Sequence, residues 1–238
     1  MAGKNYYIQS FLAELDTIES PVKISTGDFL DMLEPDTPVT QAVRLIFLSD
    51  DLLQRESCLA GQIRQVSPAV LSAEILRGEE PLPDFLLSDV PTARKIESDA
   101  VWENYFRYAA KNVSPTAAGN FLRQWIAFEV TLRNSLVEAR AGSLGVEPAD
   151  FFVADELSDS SIDVKQAVAE WLNTVTDNPI AAQKILDRAR WDWISQKGGY
   201  FSFDDDELVA YAAKLSIACR WKCLAEEMEK SQSEKSSN

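Results

Sequence analysis

The sequence predicts an all-α fold, a multi-helix bundle of long antiparallel helices, and three observations predict it. Thr37-Pro38, Ser67-Pro68, Ser114-Pro115 and Asn178-Pro179 each set a capping residue before a proline suited to the first helical position. Apolar residues recur at helical spacing in the longer segments, among them Leu122, Trp125, Leu132 and Leu136. Glycines close several such segments: Gly78 after AEILR, Gly142 after EARA, and Gly198-Gly199 after DWISQK.

At the N-terminus, YYIQSFL alternates briefly and admits a short strand or an extended arm. Helices are then expected at about 26–33, 38–48, 50–60, 68–77, 92–112, 115–141, 162–176, 179–197 and 203–230. The proline-rich stretch GEEPLPDFLLSDVP reads as an exposed connection and suggests two helical subdomains. The expected organisation is a smaller helical half over about 1–80, a connection over 81–91, a main bundle over 92–230 and a polar, disordered tail over 231–238. Ser143 to Ser161 reads as a second irregular connection, anchored by Phe151-Phe152. On the last helix, Leu208, Tyr211, Leu215 and Cys219 form one stripe, and Ile217, Trp221 and Leu224 lie well round from it. A helix apolar on several sides is a core helix held between neighbours.

Composition narrows the function classes. With 238 residues and 46% hydrophobic content, the chain can build a sizeable core. A formal net charge of −15 disfavours phosphate backbones and anionic lipid surfaces. It suits either a colloidally stable acidic protein or a docking surface for a basic partner. There is no histidine, which removes the usual general base and the commonest metal ligand. Cys58, Cys219 and Cys223 are too few and too odd for a disulfide framework. Cys219 and Cys223 share a helix face and read as core thiols rather than a zinc or redox site. No apolar leader and no run of about 18 apolar residues is visible, so a cytoplasmic chain without a membrane span is expected.

Polar residues interrupt the apolar stripe in WIAFEVTLRNSL. Glu129 falls among Leu122, Leu132 and Leu136, with Arg133 one turn later and Asn134 beside it. Arg190-Trp191 and Arg220-Trp221 repeat an arginine–tryptophan pairing on the other long helices, and Asp187 lies three residues before Arg190. The expectation is an interior network of Glu129, Arg133, Asn134, Arg190 and Arg220, with Trp125, Trp191 and Trp221 packed around it. Such a network fixes helix register. The competing reading makes Glu129 a buried general base.

The run Asp204-Asp205-Asp206-Glu207 is consecutive, so its carboxylates radiate around a helix instead of converging on one ion. It reads as a helix start favoured by the macrodipole, with Ser202 as cap. Asp50-Asp51 reads the same way. The glycines are too scattered for a phosphate-binding loop. No catalytic, cofactor-binding or metal-ligating residue is expected, and no cofactor.

Several segments resemble the small C-subunit-like proteins associated with bacterial V/A-type ATPases. They are Lys4-Asn-Tyr-Tyr7, STGDFLDML, FLRQWIAFEVTLRN, NPIAAQKILDRARWDWI and FSFDDDELVAYAAKLSIACRW. The resemblance runs through most of the chain and is weakest between Arg55 and Lys95. Phe11-Leu12-Ala13 stands where that family would show a leucine–proline step, and Ser49 to Leu53 lacks its asparagine-rich helix start. The resemblance implies a non-catalytic, all-helical subunit that links the central rotor shaft to the membrane proteolipid ring. It implies central-stalk and proteolipid-ring subunits as partners, with membrane attachment at the inner membrane only through them. Two alternatives stand beside it. One is a free-standing acidic helical adaptor. The other is a magnesium-dependent helical enzyme acting on diphosphates through Asp204 to Glu207 and Asp50-Asp51.

Overall fold

In the computed structural model, which describes residues 2–87, 96–198 and 205–236, regular structure is helical throughout and no strand occurs among those residues. The first helix, α1 (Ala2–Phe11), replaces the short strand or extended arm expected there. It buries Ile8 and leaves Tyr7 and Phe11 largely exposed. Helix α2 (Thr26–Met32) opens with a capping box: Ser25 Oγ accepts from the Asp28 N–H at 3.0 Å, and the Ser25 N–H donates to Asp28 Oδ2 at 3.1 Å.

Helix α3 (Pro38–Leu59) begins at the expected Thr37 cap, whose Oγ1 accepts from the Thr40 N–H at 3.2 Å. It runs unbroken where two helices were expected. Ser49-Asp50-Asp51 looks like a cap in sequence, but the apolar face continues from Leu48 to Leu52 and both carboxylates find tertiary partners. Ser67-Pro68 does not start a helix. The Asp51 carboxylate takes the N–H groups of Ala69, Val70 and Leu71 at 2.9, 2.8 and 2.7 Å, which holds that stretch irregular. Only the single turn α4 (Ala73–Leu76) follows, capped by Ser72 and closed by Gly78 at φ 76°.

Residues 81–87 are anchored rather than exposed throughout, because Leu82 and Leu86 are buried. The rest of the 81–91 connection, and the expected helix start near 92, fall at residues 88–95, outside those described. Helix α5 (Glu97–Lys111) buries Trp102, Tyr105 and Phe106. Helix α6 (Ala117–Leu144) is capped by Thr116, two residues beyond the expected Ser114. A Cβ at Gly119 would sit 1.8 Å from the Ser114 carbonyl oxygen, so the chain can enter this helix only over a glycine. Gly142 does not stop it; Gly145, at φ 66°, does.

Helix α7 (Lys165–Thr174) and helix α8 (Pro179–Lys197) pack against each other, and Asn178 caps α8 as expected. Helix α9 (Asp205–Ser236) continues through residues 231–236, where a disordered tail was expected.

Helices α3, α6 and α9 pack mutually, α8 lies on α9, α5 touches α3 and α6, and α1 and α2 cover another side of α9. One cluster of buried side chains runs from Ile8 to Ala218 and includes residues from both sequence halves. Leu208 to Ala218 of α9 is buried on several sides, as its pattern demands. Helices α6 and α8 run antiparallel: Phe121 meets Trp193, while the later Glu129 meets the earlier Arg190.

Candidate functional site

A ladder of alternating charges crosses the interior. Glu129 on α6 accepts from Arg190 on α8 through both oxygens, Nε to Oε1 at 2.8 Å and Nη2 to Oε2 at 3.0 Å. Arg190 Nη1 reaches Asp187 Oδ1 at 3.1 Å, one turn back on the same helix. Arg220 on α9 donates from Nη1 to Asp187 Oδ1 at 3.2 Å and from Nη2 to Asp50 Oδ1 on α3 at 3.3 Å. Four helices are joined through three carboxylates and two guanidiniums. The Glu129–Arg190 contact is the planar two-point kind that fixes orientation as well as distance.

Asp187 is the centre of the ladder and is fully buried. Its other donors are the Trp221 indole N–H at 3.0 Å and Gln183 Nε2 at 3.2 Å, both to Oδ2. Burial alone would raise its pKa, but Arg220 and Arg190, with Gln183 and Trp221, outweigh it and hold the carboxyl below its ordinary range. Burial likewise disfavours the Arg190 cation, and Glu129 and Asp187 hold it above its ordinary value. A carboxylate chelated this way serves as a fixed anion. A general base needs an oxygen turned to a substrate, and both Glu129 oxygens face Arg190.

The predicted residues do not all come together. Glu129, Arg190, Arg220 and Trp221 share the ladder. Arg133 turns from Glu129 to Asp99 on α5 at 3.1 Å, with its guanidinium 5.1 Å from the centre of the Trp102 ring. Asn134 pins the loop after α6. Its Oδ1 accepts from the Val153 N–H at 3.0 Å, and its Nδ2 donates to the Val153 carbonyl at 3.2 Å and to Asp155 Oδ1 at 3.1 Å. Trp125 joins an aromatic cluster with Phe128 and Trp193, at centroid distances of 5.7 and 5.6 Å. Trp191 is buried beneath Lys214, whose Nζ lies 5.0 Å from the ring centre.

Asp205, Asp206 and Glu207 occupy the first turn of α9, while Asp204 lies outside the described residues, as does Ser202. Among the described residues no group of three or more Cys, Asp or Glu side chains converges in a way that could hold a metal ion. Asp50-Asp51 is a correction: the pair sits in mid-helix, not at a helix start. Asp51 is fully buried, and burial pushes its carboxyl up to about 6 despite the three backbone donors. Cys219 is half-buried, with its thiol pushed up to about 12 by burial, and Cys223 is exposed. No helix among the described residues is long and apolar enough to cross a membrane.

Residues 77–233 match the model of a family described as protein of unknown function, DUF2764. The chain belongs to this family. No curated protein and no solved structure matches it. The DUF2764 region contains α5 to α8 and most of α9, and with them Glu129, Asp187, Arg190 and Arg220. Asp50 comes from α3, before the matched region. The ladder therefore ties the DUF2764 helices to the N-terminal helices that complete their core.

Sequence reasoning left Asp50, Asp99 and Asp187 out of the network. Two signals were present. Asp187 stands one turn before Arg190, on the same face, and Asp50 follows an apolar run that resumes at Leu52. For Asp99, near the start of its helix, ordinary first-turn acidity masks the partner.

Proposed function

We propose that this chain is a non-catalytic structural component of a V/A-type ATPase, similar to its C-subunit, that links the central rotor shaft to the membrane proteolipid ring. The observation that carries the reading is the ladder from Glu129 to Asp50. A spacer that transmits torque must not let its helices slide, and charged pairs clamp register where apolar packing alone tolerates slippage. The segmental resemblance to C-subunit-like proteins supplies the partner class. In this role the chain is cytoplasmic and reaches the membrane only through the subunits it joins.

The experiment is affinity capture of the tagged chain from its native cells after mild crosslinking, paired with ATP-driven ion transport in membranes from a deletion strain. Retention of central-stalk and proteolipid subunits, with uncoupled transport on deletion, supports the assignment. Capture without any ATPase subunit overturns it. A partner outside the ATPase, with normal transport, would instead establish a free-standing adaptor, the reading favoured by the net charge of −15.

A further inference from the structure

Helix α9 outruns the body that buries it. Ile217 is buried, Trp221 and Leu224 are half-buried and Met228 is 45% exposed, and these four fall on one stripe at about 100° per residue. The stripe that packs α9 into the core therefore continues past the core. Every side chain from Ala225 to Lys230 is exposed, and the helix runs on to Ser236, about 18 Å beyond Leu224 at about 1.5 Å per residue. The start of α8 marks where its cover ends. Helix α8 lies antiparallel to α9, with Gly198 against Ala210 and Asp187 against Arg220 and Trp221. The same register brings Pro179, where α8 begins, level with about residue 229. Ile180, at that end, is itself 43% exposed.

The charges nearest the exposed stripe have one sign. Around the helix from the midpoint of Leu224 and Met228, Glu227 stands about 80° to one side and Glu229 about 120° to the other. Lys222 and Lys230 lie about 140° away, and Glu226 is opposite. Both flanking carboxylates are exposed. Composition adds a second reason to expect a neighbour. A run of helix with no other helix beside it is held by propensity, and Ser231, Ser233 and Ser236 are weak formers. Most helical stability in proteins comes instead from packing an apolar face.

We propose that the C-terminal turns of α9 pair with an amphipathic helix of a partner protein, which lays an apolar stripe on Leu224 and Met228 and carries basic residues on its flanks. Paired helices meet through apolar side chains about a turn apart, and the charges beside that seam choose the partner. A second copy of this chain would set glutamates against glutamates on both flanks and be repelled. Anionic lipid and nucleic acid are disfavoured on the same ground. The pairing is independent of the ATPase reading, since a rotor subunit or an unrelated protein could supply such a helix.

The probe is a fluorescein-labelled, amidated Leu/Lys peptide of about 18 residues with leucines at helical spacing, titrated with the full chain at low and high salt. A Leu/Glu peptide and a Lys-rich peptide lacking the apolar stripe serve as controls. Only the Leu/Lys peptide should raise anisotropy saturably, and its binding should slow hydrogen exchange within residues 222–236 and not elsewhere. Met228→Ser should weaken binding by about tenfold, as loss of an apolar anchor does, and Met228→Leu should preserve it. Glu227→Lys/Glu229→Lys should abolish binding of the Leu/Lys peptide and admit the Leu/Glu peptide. All three positions are exposed, so circular dichroism and urea midpoints should stay at wild-type values. Absence of saturable binding would leave the end of α9 a solvated helix and overturn the proposal. Binding indifferent to Met228→Ser, or exchange slowed in another part of the chain, would reduce the effect to diffuse attraction by an acidic protein and overturn it too. So would a wild-type dimer in sedimentation that Met228→Ser dissociates, since the occupant would then be a second copy. Affinity capture decides the ATPase assignment separately, so either reading can fail alone.

Discussion

Asp51 and Asp187 are both fully buried, and their environments push them in opposite directions. Asp51, on α3, faces the backbone N–H groups of Ala69, Val70 and Leu71, and its carboxyl rises to about 6. Asp187, on α8, faces Arg190, Arg220, Trp221 and Gln183, and its carboxyl falls. Hydrogen bonds are plentiful at both sites, so their number does not decide the outcome. Formal charge does. Neutral donors leave much of the desolvation penalty standing, whereas two guanidiniums overcome it. The first site straps a loop to a helix. The second binds helices to one another.

The largest expected effect comes from breaking the second site. Asp187→Ala would take from Arg190 and Arg220 the fully buried carboxylate they share, leaving them only Glu129 and Asp50, and should cost about 3 kcal/mol in urea unfolding, the low end for removing one partner from a buried ion pair. Replacing Glu129, Asp187, Arg190, Arg220 and Asp50 together with apolar residues should cost less than the single change, since no member of the ladder is then left unpaired. A single Asp187→Ala loss under about 1 kcal/mol would mean that the two cations find water, and the ladder would lose its structural claim.

The pH dependence sharpens the contrast, because the two carboxyls contribute with opposite signs. For Asp51 the folded value lies above the unfolded one, so the folded state holds the proton more tightly and stability falls as pH rises from about 4 to about 6. For Asp187 the folded value lies below the unfolded one. Its contribution is present above about 4 and is lost as pH falls further. Asp51→Asn should therefore remove a decline on the order of 2 kcal/mol between pH 4 and 6. Asp187→Asn should lower stability across that interval without changing its slope, and should flatten only the acid limb. Urea midpoints of the two variants across pH 3–7, compared with wild type, read both effects, and matching profiles would show that donor charge does not separate the sites.

A neutral pin provides the intermediate case. Asn134 makes a reciprocal pair of hydrogen bonds with the Val153 backbone, so Asn134→Ala should cost about 1–2 kcal/mol by leaving that backbone unsatisfied. Hydrogen exchange should quicken around residues 152–158 while α9 stays protected. Uniform quickening would place Asn134 in the global core and not at a loop anchor.

What the sequence disclosed follows the same division between local and distant partners. The all-helical class, the Thr37 and Asn178 caps and the central position of α9 depend on neighbours a turn away, and their patterns were readable. Arg190 and Arg220 stood out because each adjoins a tryptophan within an apolar stripe. Misreadings arose where a distant partner overrode a local signal. Ser49-Asp50-Asp51 resembles a helix start until Arg220 and the 69–71 backbone claim its acids. Ser67-Pro68 resembles one until Asp51 takes the N–H groups just beyond it. Glu129 and Arg133 are well spaced for each other, but Arg190 offers Glu129 a two-point contact from another helix and leaves Arg133 to Asp99. The N-terminal alternation was too short to separate a strand from α1, and Gly142 was tolerated because an ordinary helical glycine costs only about 1 kcal/mol.

The smallest expected effect lies at the surface and tests whether burial is what gives the ladder its importance. Arg77 contacts Glu79 at 2.8 Å and Glu74 at 3.2 Å, geometry as good as that between Arg190 and its two acids. All three side chains stand in solvent, where water competes for every donor and salt screens the attraction. Arg77→Ala should leave the urea midpoint within error of wild type, while Arg190→Ala, with the same chemistry removed from the interior, should shift it plainly. If the two variants lost stability equally, contact geometry would be the governing quantity, and the division between buried ladder and solvated pair would fall.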